Sequence, residues 1–145
     1  MVEGIHPLVG QFLPYIKIFL SVLYGFILGY ERKVEGKYVG PRTYSLICLG
    51  ACIFTLAALD VQLKHGSGLR IAAQVVTGIG FLGAGVIWKV KDHIHGITTA
   101  ASIWAAAAIG LLIGFGYMGL AAFSTIVVFF LLKFEEEKIL PDECM

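Results

Sequence analysis

The apolar run from Arg70 to Ile87 holds the residue types with the most chemical potential in this chain. Arg70, Gln74 and Thr77 fall on one helical face within it, followed by Gly78, Gly80, Gly83 and Gly85. Written as a pattern, Gly78-x-Gly80-x-x-Gly83 is a dinucleotide fingerprint. That chemistry needs a strand before the glycines, a helix after them and an acidic residue about 20 positions further on. Here the glycines lie inside one long apolar segment, and the nearby acidic residue, Asp92, comes too soon. Nucleotide binding is therefore rejected. What remains is a polar face within a segment suited to lipid, and ionisable or amide groups at such depth mark a pathway or a partner site.

Other reactive types are sparse. Cys48 and Cys52 are four residues apart and share a helix face, but no His or further Cys is close enough to complete a zinc site. They read as small core hydrophobes, and Cys144 lies apart in the tail. His93 and His95 sit in a charged stretch and read as a solvated loop, with a weak metal or pH-sensing role as the alternative. Thr98, Thr99 and Ser102 open an apolar segment. They either bond to backbone one turn back or offer oxygen ligands to an ion or partner. Magnesium takes near-octahedral oxygen ligands and usually needs carboxylates. The acidic residues beside apolar segments, Glu31 and Asp60, are expected at opposite ends of the spans, so they cannot share a site within one chain. No nucleophile sits beside a base. Neither an enzyme nor a cofactor is expected.

These residues must be positioned by helices. Of 145 residues, 58% are hydrophobic and 14% charged, and the mean hydropathy is +0.85. A soluble domain is nearer a quarter charged, so the composition indicates a membrane protein with short loops. A net charge of +1 argues against nucleic acid and against strong attraction to anionic surfaces. The start, with Glu3 and no basic residue before Lys17, is wrong for a cleaved signal peptide. The expected fold is an all-α bundle of five transmembrane helices in a single domain, 1–145. The spans are 12–30, 43–60, 69–88, 97–114 and 117–133, with a short tail at 134–145. A Gly-Phe-Gly turn at 114–116 separates the last two.

The distribution of lysine and arginine orients this bundle. With the N-terminus outside, Arg32, Lys33, Lys37, Arg42, Lys89, Lys91, Lys133 and Lys138 are cytoplasmic, and Lys64 and Arg70 are outside. Lys17 snorkels near the outer end of the first span. Tyr30, Tyr38, Tyr44 and Trp88 then mark the inner boundary, and Tyr15 and Tyr117 the outer one.

Lipid gives helices no hydrophobic reason to associate, so small residues and polar links must hold them together. Gly25-x-x-x-Gly29, Gly110-x-x-x-Gly114 and the alanines at 100, 101 and 105–108 supply such faces. They serve either packing within one subunit or a homodimer. Gly78, Gly80, Gly83 and Gly85 indicate close helix approach or a loosened helix whose carbonyls line a cavity. The expected polar site places Arg70, Gln74 and Thr77 inward, with Glu31, Arg42 and Asp60 around them. Asp60 with Arg70 at the outer end, and Glu31 with Arg42 at the inner end, are the expected ion pairs.

Several blocks resemble the MgtC/SapB family. They are Glu31-Arg32, Gly40-Pro41-Arg42-Thr43, Arg70-Ile71-Ala72-Ala73-Gln74-Val75-Val76, the glycines from Gly78 to Gly85, and Gly96-Ile97-Thr98-Thr99-Ala100-Ala101 with Trp104. The likeness covers about residues 20–132. Pro41 departs from the family's usual small or apolar residue, and the soluble C-terminal domain of some members has no counterpart here. The resemblance implies a bacterial inner-membrane protein linked to magnesium homeostasis and, in some members, to survival inside phagocytes. Some members are labelled magnesium transporters. Others resemble regulators of membrane enzymes, including ATP synthase. Two functions follow: a non-enzymatic regulator acting on membrane-protein partners, or a homo-oligomeric transporter or channel subunit for magnesium or another cation.

Overall fold

The computed structural model describes residues 7–65 and 68–134. Its elements run α1 (Pro7–Val34), α2 (Pro41–His65), α3 (Leu69–Ala84), β1 (Trp88–Val90), β2 (His93–His95), α4 (Ile97–Phe115) and α5 (Met118–Lys133). The tail beyond Phe134 lies outside the described residues, so nothing here bears on its Glu135, Glu136 and Glu137.

Local chemistry sets most of the boundaries. Gly36, at φ 69°, ends α1. Its N–H donates to Lys33 O at 3.1 Å and the Lys37 N–H to Arg32 O at 2.9 Å, the paired bonds by which a left-handed glycine closes a helix. Pro41 opens α2, where its missing N–H costs nothing. Gly116, at φ 94°, closes α4 by the same pairing, to Ile113 O and Leu112 O. The expected turn therefore rests on Gly116, while Gly114 stays inside the helix.

The third span is corrected at its end. The helix stops at Ala84, and Trp88–Val90 pairs antiparallel with His93–His95. Gly85 weakens the helix, and Val86, Ile87, Trp88 and Val90 are β-branched or aromatic residues that favour a pleated strand. Lys91 turns the hairpin at φ 52°. Residues 11–34, 41–63 and 97–115 are helical segments long and apolar enough to cross a membrane. The 16-residue α3 and α5 are shorter, each about 24 Å at 1.5 Å per residue.

The bundle is built on α2 and α4. Helix α4 touches all four other helices, and α2 touches α1, α3 and α4. Glycines decide how closely. A Cβ at Gly25 would lie 2.5 Å from Tyr44 O, and one at Gly29 2.5 Å from the Pro41 Cα. From the other side, a Cβ at Gly110 would strike the Cys48 carbonyl and come within 2.8 Å of the Ala51 Cβ. One at Gly114 would run into the Thr55 side chain. These four glycines are contacts between helices of the one chain. Gly78 and Gly80 are not, since a Cβ at either would meet open space. Gly83 allows only ordinary contact with Ala100 at 3.6 Å, and Gly85 faces its own helix. Packing explains the first and fourth helices but not the third.

Opposite responses to added methyl groups test this division. Gly110→Val should destabilise the purified protein by about 1–3 kcal/mol through overpacking. Gly80→Ala should leave it unchanged or stabilise it by up to about 1 kcal/mol through helix propensity. Thermal unfolding in detergent, followed by loss of the monodisperse chromatographic peak, separates the two.

Candidate functional site

One face of α1 carries the buried polar groups. Lys17, Ser21, Gly25, Gly29 and Arg32 recur every three or four residues, so they lie on one side of the helix. All five are buried, and so is Glu31. At the end of the bundle that carries the α1–α2 loop, Arg32 grips Glu31 with both forks of its guanidinium. The Nε donates to Oε2 at 2.5 Å and the Nη2 to Oε1 at 2.6 Å. The same Nη2 also donates to the Leu132 carbonyl near the C-terminus of α5. A cation there complements the negative end of the helix dipole. The expected Glu31–Arg42 pair is thus replaced by Glu31–Arg32, and Arg42 is exposed at the start of α2. Helix α1 reaches its last turn inside the bundle and carries its own cation there, whereas Arg42 projects outward.

The opposite end repeats the device. Lys17 Nζ donates to Gly114 O at 2.8 Å, in the last turn of α4, and its side chain is 7% exposed. It does not snorkel, because the Gly114 carbonyl, which the Gly116 turn leaves uncapped, lies within its reach. Tyr44 is also corrected. Instead of marking a boundary it is fully buried, with its hydroxyl 2.5 Å from Ser102 Oγ. Ser102 in turn donates to Thr99 O at 2.8 Å. Its expected partner in capping, Thr98, is exposed, Thr99 is half-buried, and Gly96 caps α4 without a side-chain bond.

Between the two ends the interior is closed. Leu28, Ile103, Ile109 and Ile113 fill it, with Cys48 and Cys52 packed among them as small hydrophobes. Among the described residues, no group of three His, Cys, Asp or Glu could hold a metal ion.

The largest correction concerns α3. Arg70, Gln74 and Thr77 are exposed, and the buried face consists of Ala72, Ile79 and Gly83. The apolar side of α3 packs against α2 and α4, so Arg70 and Thr77 face away from them, while Gln74 stands at the edge between the two sides. Glu31 is held by Arg32, and Asp60 is exposed in the C-terminal half of α2. Of the expected site residues, Thr43 and Gln74 do come together. They line a groove of about 560 Å³ between α2 and α3, along with Leu46, Phe54 and Gly78.

Sequence reasoning missed Arg32 as Glu31's partner and Lys17 as a helix cap. The signal was available in the four-residue spacing of polar and small residues along α1. Apolar and aromatic neighbours at 18–20, 22–24 and 26–28 disguise it.

The bidentate pair gives a direct test. Glu31 and Arg32 side chains are 6% and 4% exposed, so Arg32→Met leaves a carboxylate buried without its partner. That should cost about 3–5 kcal/mol, and adding Glu31→Gln should restore most of it. A double-mutant cycle on unfolding in mixed detergent measures the difference.

The family model that matches this chain is that of the MgtC family, over residues 18–138. The chain is similar to Protein MgtC of Brucella abortus (strain 2308), with 41% identity over 108 residues, or 74% of this chain and 45% of that protein. It is 40% identical over 116 residues to Protein MgtC of Salmonella typhimurium (strain LT2), covering 79% of this chain and 49% of that one. An uncharacterized protein of Haemophilus influenzae is 38% identical over 121 residues, covering 77% and 51% respectively. The chain therefore spans about half the length of the curated relatives it matches. No solved structure matches it significantly. With most of its length matched to the family model, and with family-like blocks in order from α1 to α4, this chain belongs to the MgtC family.

Proposed function

We propose that this chain is a multi-pass protein of the bacterial inner membrane that regulates magnesium homeostasis without catalysis, by helix contact with other membrane proteins. Its N-terminus lies outside and its C-terminus in the cytoplasm. The basic residues Lys33, Lys37, Arg42, Lys89, Lys91 and Lys133 gather at one end of the bundle, which supports that orientation.

One observation carries the reading: Thr77 is exposed on the side of α3 that faces away from its own bundle, and Gln74 is exposed beside it at the edge of the α2–α3 groove. In hydrocarbon an amide without a hydrogen-bond partner is costly. A contact to a neighbouring helix relieves that cost and contributes about 0.6–2 kcal/mol per interhelical bond. Ala73, Thr77, Gly80 and Ala84 form a seam of small residues on the same side, so a second helix can approach closely. That helix belongs to a second copy of this chain or to a membrane enzyme; ATP synthase is the candidate implied by the family resemblance.

The α2–α3 groove favours a second reading. Thr43 and Gln74 both line it, so a neighbouring copy laid across it would enclose a route with hydroxyl and amide ligands. A homo-oligomeric magnesium or other cation transporter would use such a route between subunits, where hydrated ions pass more readily than dehydrated ones.

Two measurements separate the readings. The purified protein, reconstituted in liposomes loaded with a magnesium-sensitive dye, should show no selective flux. Gln74→Leu should reduce growth at limiting magnesium to the level of the deletion strain and lose the co-purifying membrane partner, with unchanged expression. Selective flux abolished by Gln74→Leu would establish transport instead. Full growth with Gln74→Leu would remove the α3 face from either scheme.

A further inference from the structure

The β1–β2 hairpin is unexplained by the function proposed above. It projects between α3 and α4, and all six of its paired residues are exposed. A two-stranded ribbon this short is marginal in water. Here it is held by its neighbours. Trp88 meets Tyr38 of the α1–α2 loop edge-on, with ring centroids 5.6 Å apart, and stacks on His95 at 5.8 Å. Gly96, at φ 87°, lies under the Trp88 ring, where a Cβ would come within 3.1 Å of it and would strike the Val86 carbonyl. The ribbon is therefore placed, not loose.

Its surface combines two chemistries. Alternation along paired strands puts Trp88, Val90, His93 and His95 on one face and Lys89 and Ile94 on the other. Trp88, Val90 and Ile94 are 41%, 50% and 58% exposed. Around them at the same end lie the exposed cations Lys33, Lys37, Arg42, Lys89, Lys91 and Lys133, against the exposed acids Glu35 and Asp92. Glu31 contributes no free charge there, because Arg32 neutralises it. This excess is that of the described residues; the whole chain comes to +1 because half of its acidic residues, Glu135, Glu136, Glu137, Asp142 and Glu143, follow Lys133 in sequence. Apolar and aromatic side chains beside clustered lysines match the boundary between acyl chains and anionic headgroups.

We propose that the β1–β2 hairpin is a headgroup anchor that docks on a bilayer surface containing anionic phospholipid. Lys89 and Lys91 meet the phosphates, and Trp88 lies at the acyl boundary. The anchor would hold the ends of α3 and α4 at a set depth. It rests on the reading of the bundle as membrane-spanning.

The chain has two tryptophans, and they separate the two claims. Trp104, in α4, is 54% exposed on the bundle side. In nanodiscs of phosphatidylcholine with brominated acyl chains, the Trp88→Phe protein should show strong quenching of Trp104. If Trp104 is not quenched, the spanning reading fails and the anchor fails with it. The Trp104→Phe protein then reports on Trp88 alone. Adding phosphatidylglycerol to unbrominated nanodiscs should lower acrylamide quenching of Trp88 about twofold, as expected for surface lysines drawn to anionic lipid. Lys89→Ser with Lys91→Ser should abolish the difference. Equal quenching in both lipid compositions overturns the proposal while leaving the spanning reading intact. A lipid effect that survives the double substitution overturns the assignment to these lysines.

Discussion

Close approach of backbone to backbone on both sides of α2 is the constraint on which this bundle depends. Gly25 and Gly29 seat α1 against the first turns of α2, and Gly110 and Gly114 seat α4 along its middle. Each pair lies four residues apart, so each forms a flat strip one helical turn long. In lipid this matters more than apolar content. Hydrocarbon tails compete equally for leucine and isoleucine, whereas a glycine strip lets two helices meet at a distance that tails cannot fill as well. The remaining helices are arranged around that sandwich, and α4, small on several sides, is the one that touches all the others.

Close packing leaves helix ends to be satisfied, and α1 does this twice. Lys17 binds the Gly114 carbonyl near the end of α4, and Arg32 binds the Leu132 carbonyl near the end of α5. Both cations are buried, and one carries its own carboxylate. Their cost is offset where the last carbonyls of a helix lack intrahelical donors. The middle of the molecule is filled by Leu28, Ile103, Ile109 and Ile113, and the hydroxyls buried there on Ser21, Thr55 and Thr125 donate to carbonyls of their own helices. Polarity inside the bundle is structural. The polar groups left over for recognition lie on its perimeter.

That division gives the perimeter its meaning. The exposed side of α3 and the hairpin that follows it are the places where the sequence breaks the rules for a simple buried bundle. An amide, a hydroxyl and a guanidinium lie along α3 on the side away from its own core, and a tryptophan sits among lysines at one end. In the functions proposed here both features serve contacts with surroundings, one with a neighbouring helix and one with a bilayer surface. They are also adjacent in the chain, so a partner pressing on α3 would act on the element whose end the hairpin holds.

How much was legible in advance differs by residue. The five helices could be read because apolar length is a local property, and Gly36, Pro41 and Gly116 mark their ends by backbone geometry alone. The packing role of Gly25, Gly29, Gly110 and Gly114 could be read from their spacing. The same spacing argument failed for Gly78 and Gly80, because a helix sequence does not state which of its sides has a neighbour. It failed again for Glu31, whose partner proved to be Arg32 and not Arg42, and for Lys17 and Tyr44, whose side chains are buried among the helices and do not face outward. Periodicity can group Arg70, Gln74 and Thr77 on one face. Only the placement of α2 and α4 against the other side of α3 decided that this face looks outward, because the apolar contacts of a helix choose its rotation and its polar groups must follow.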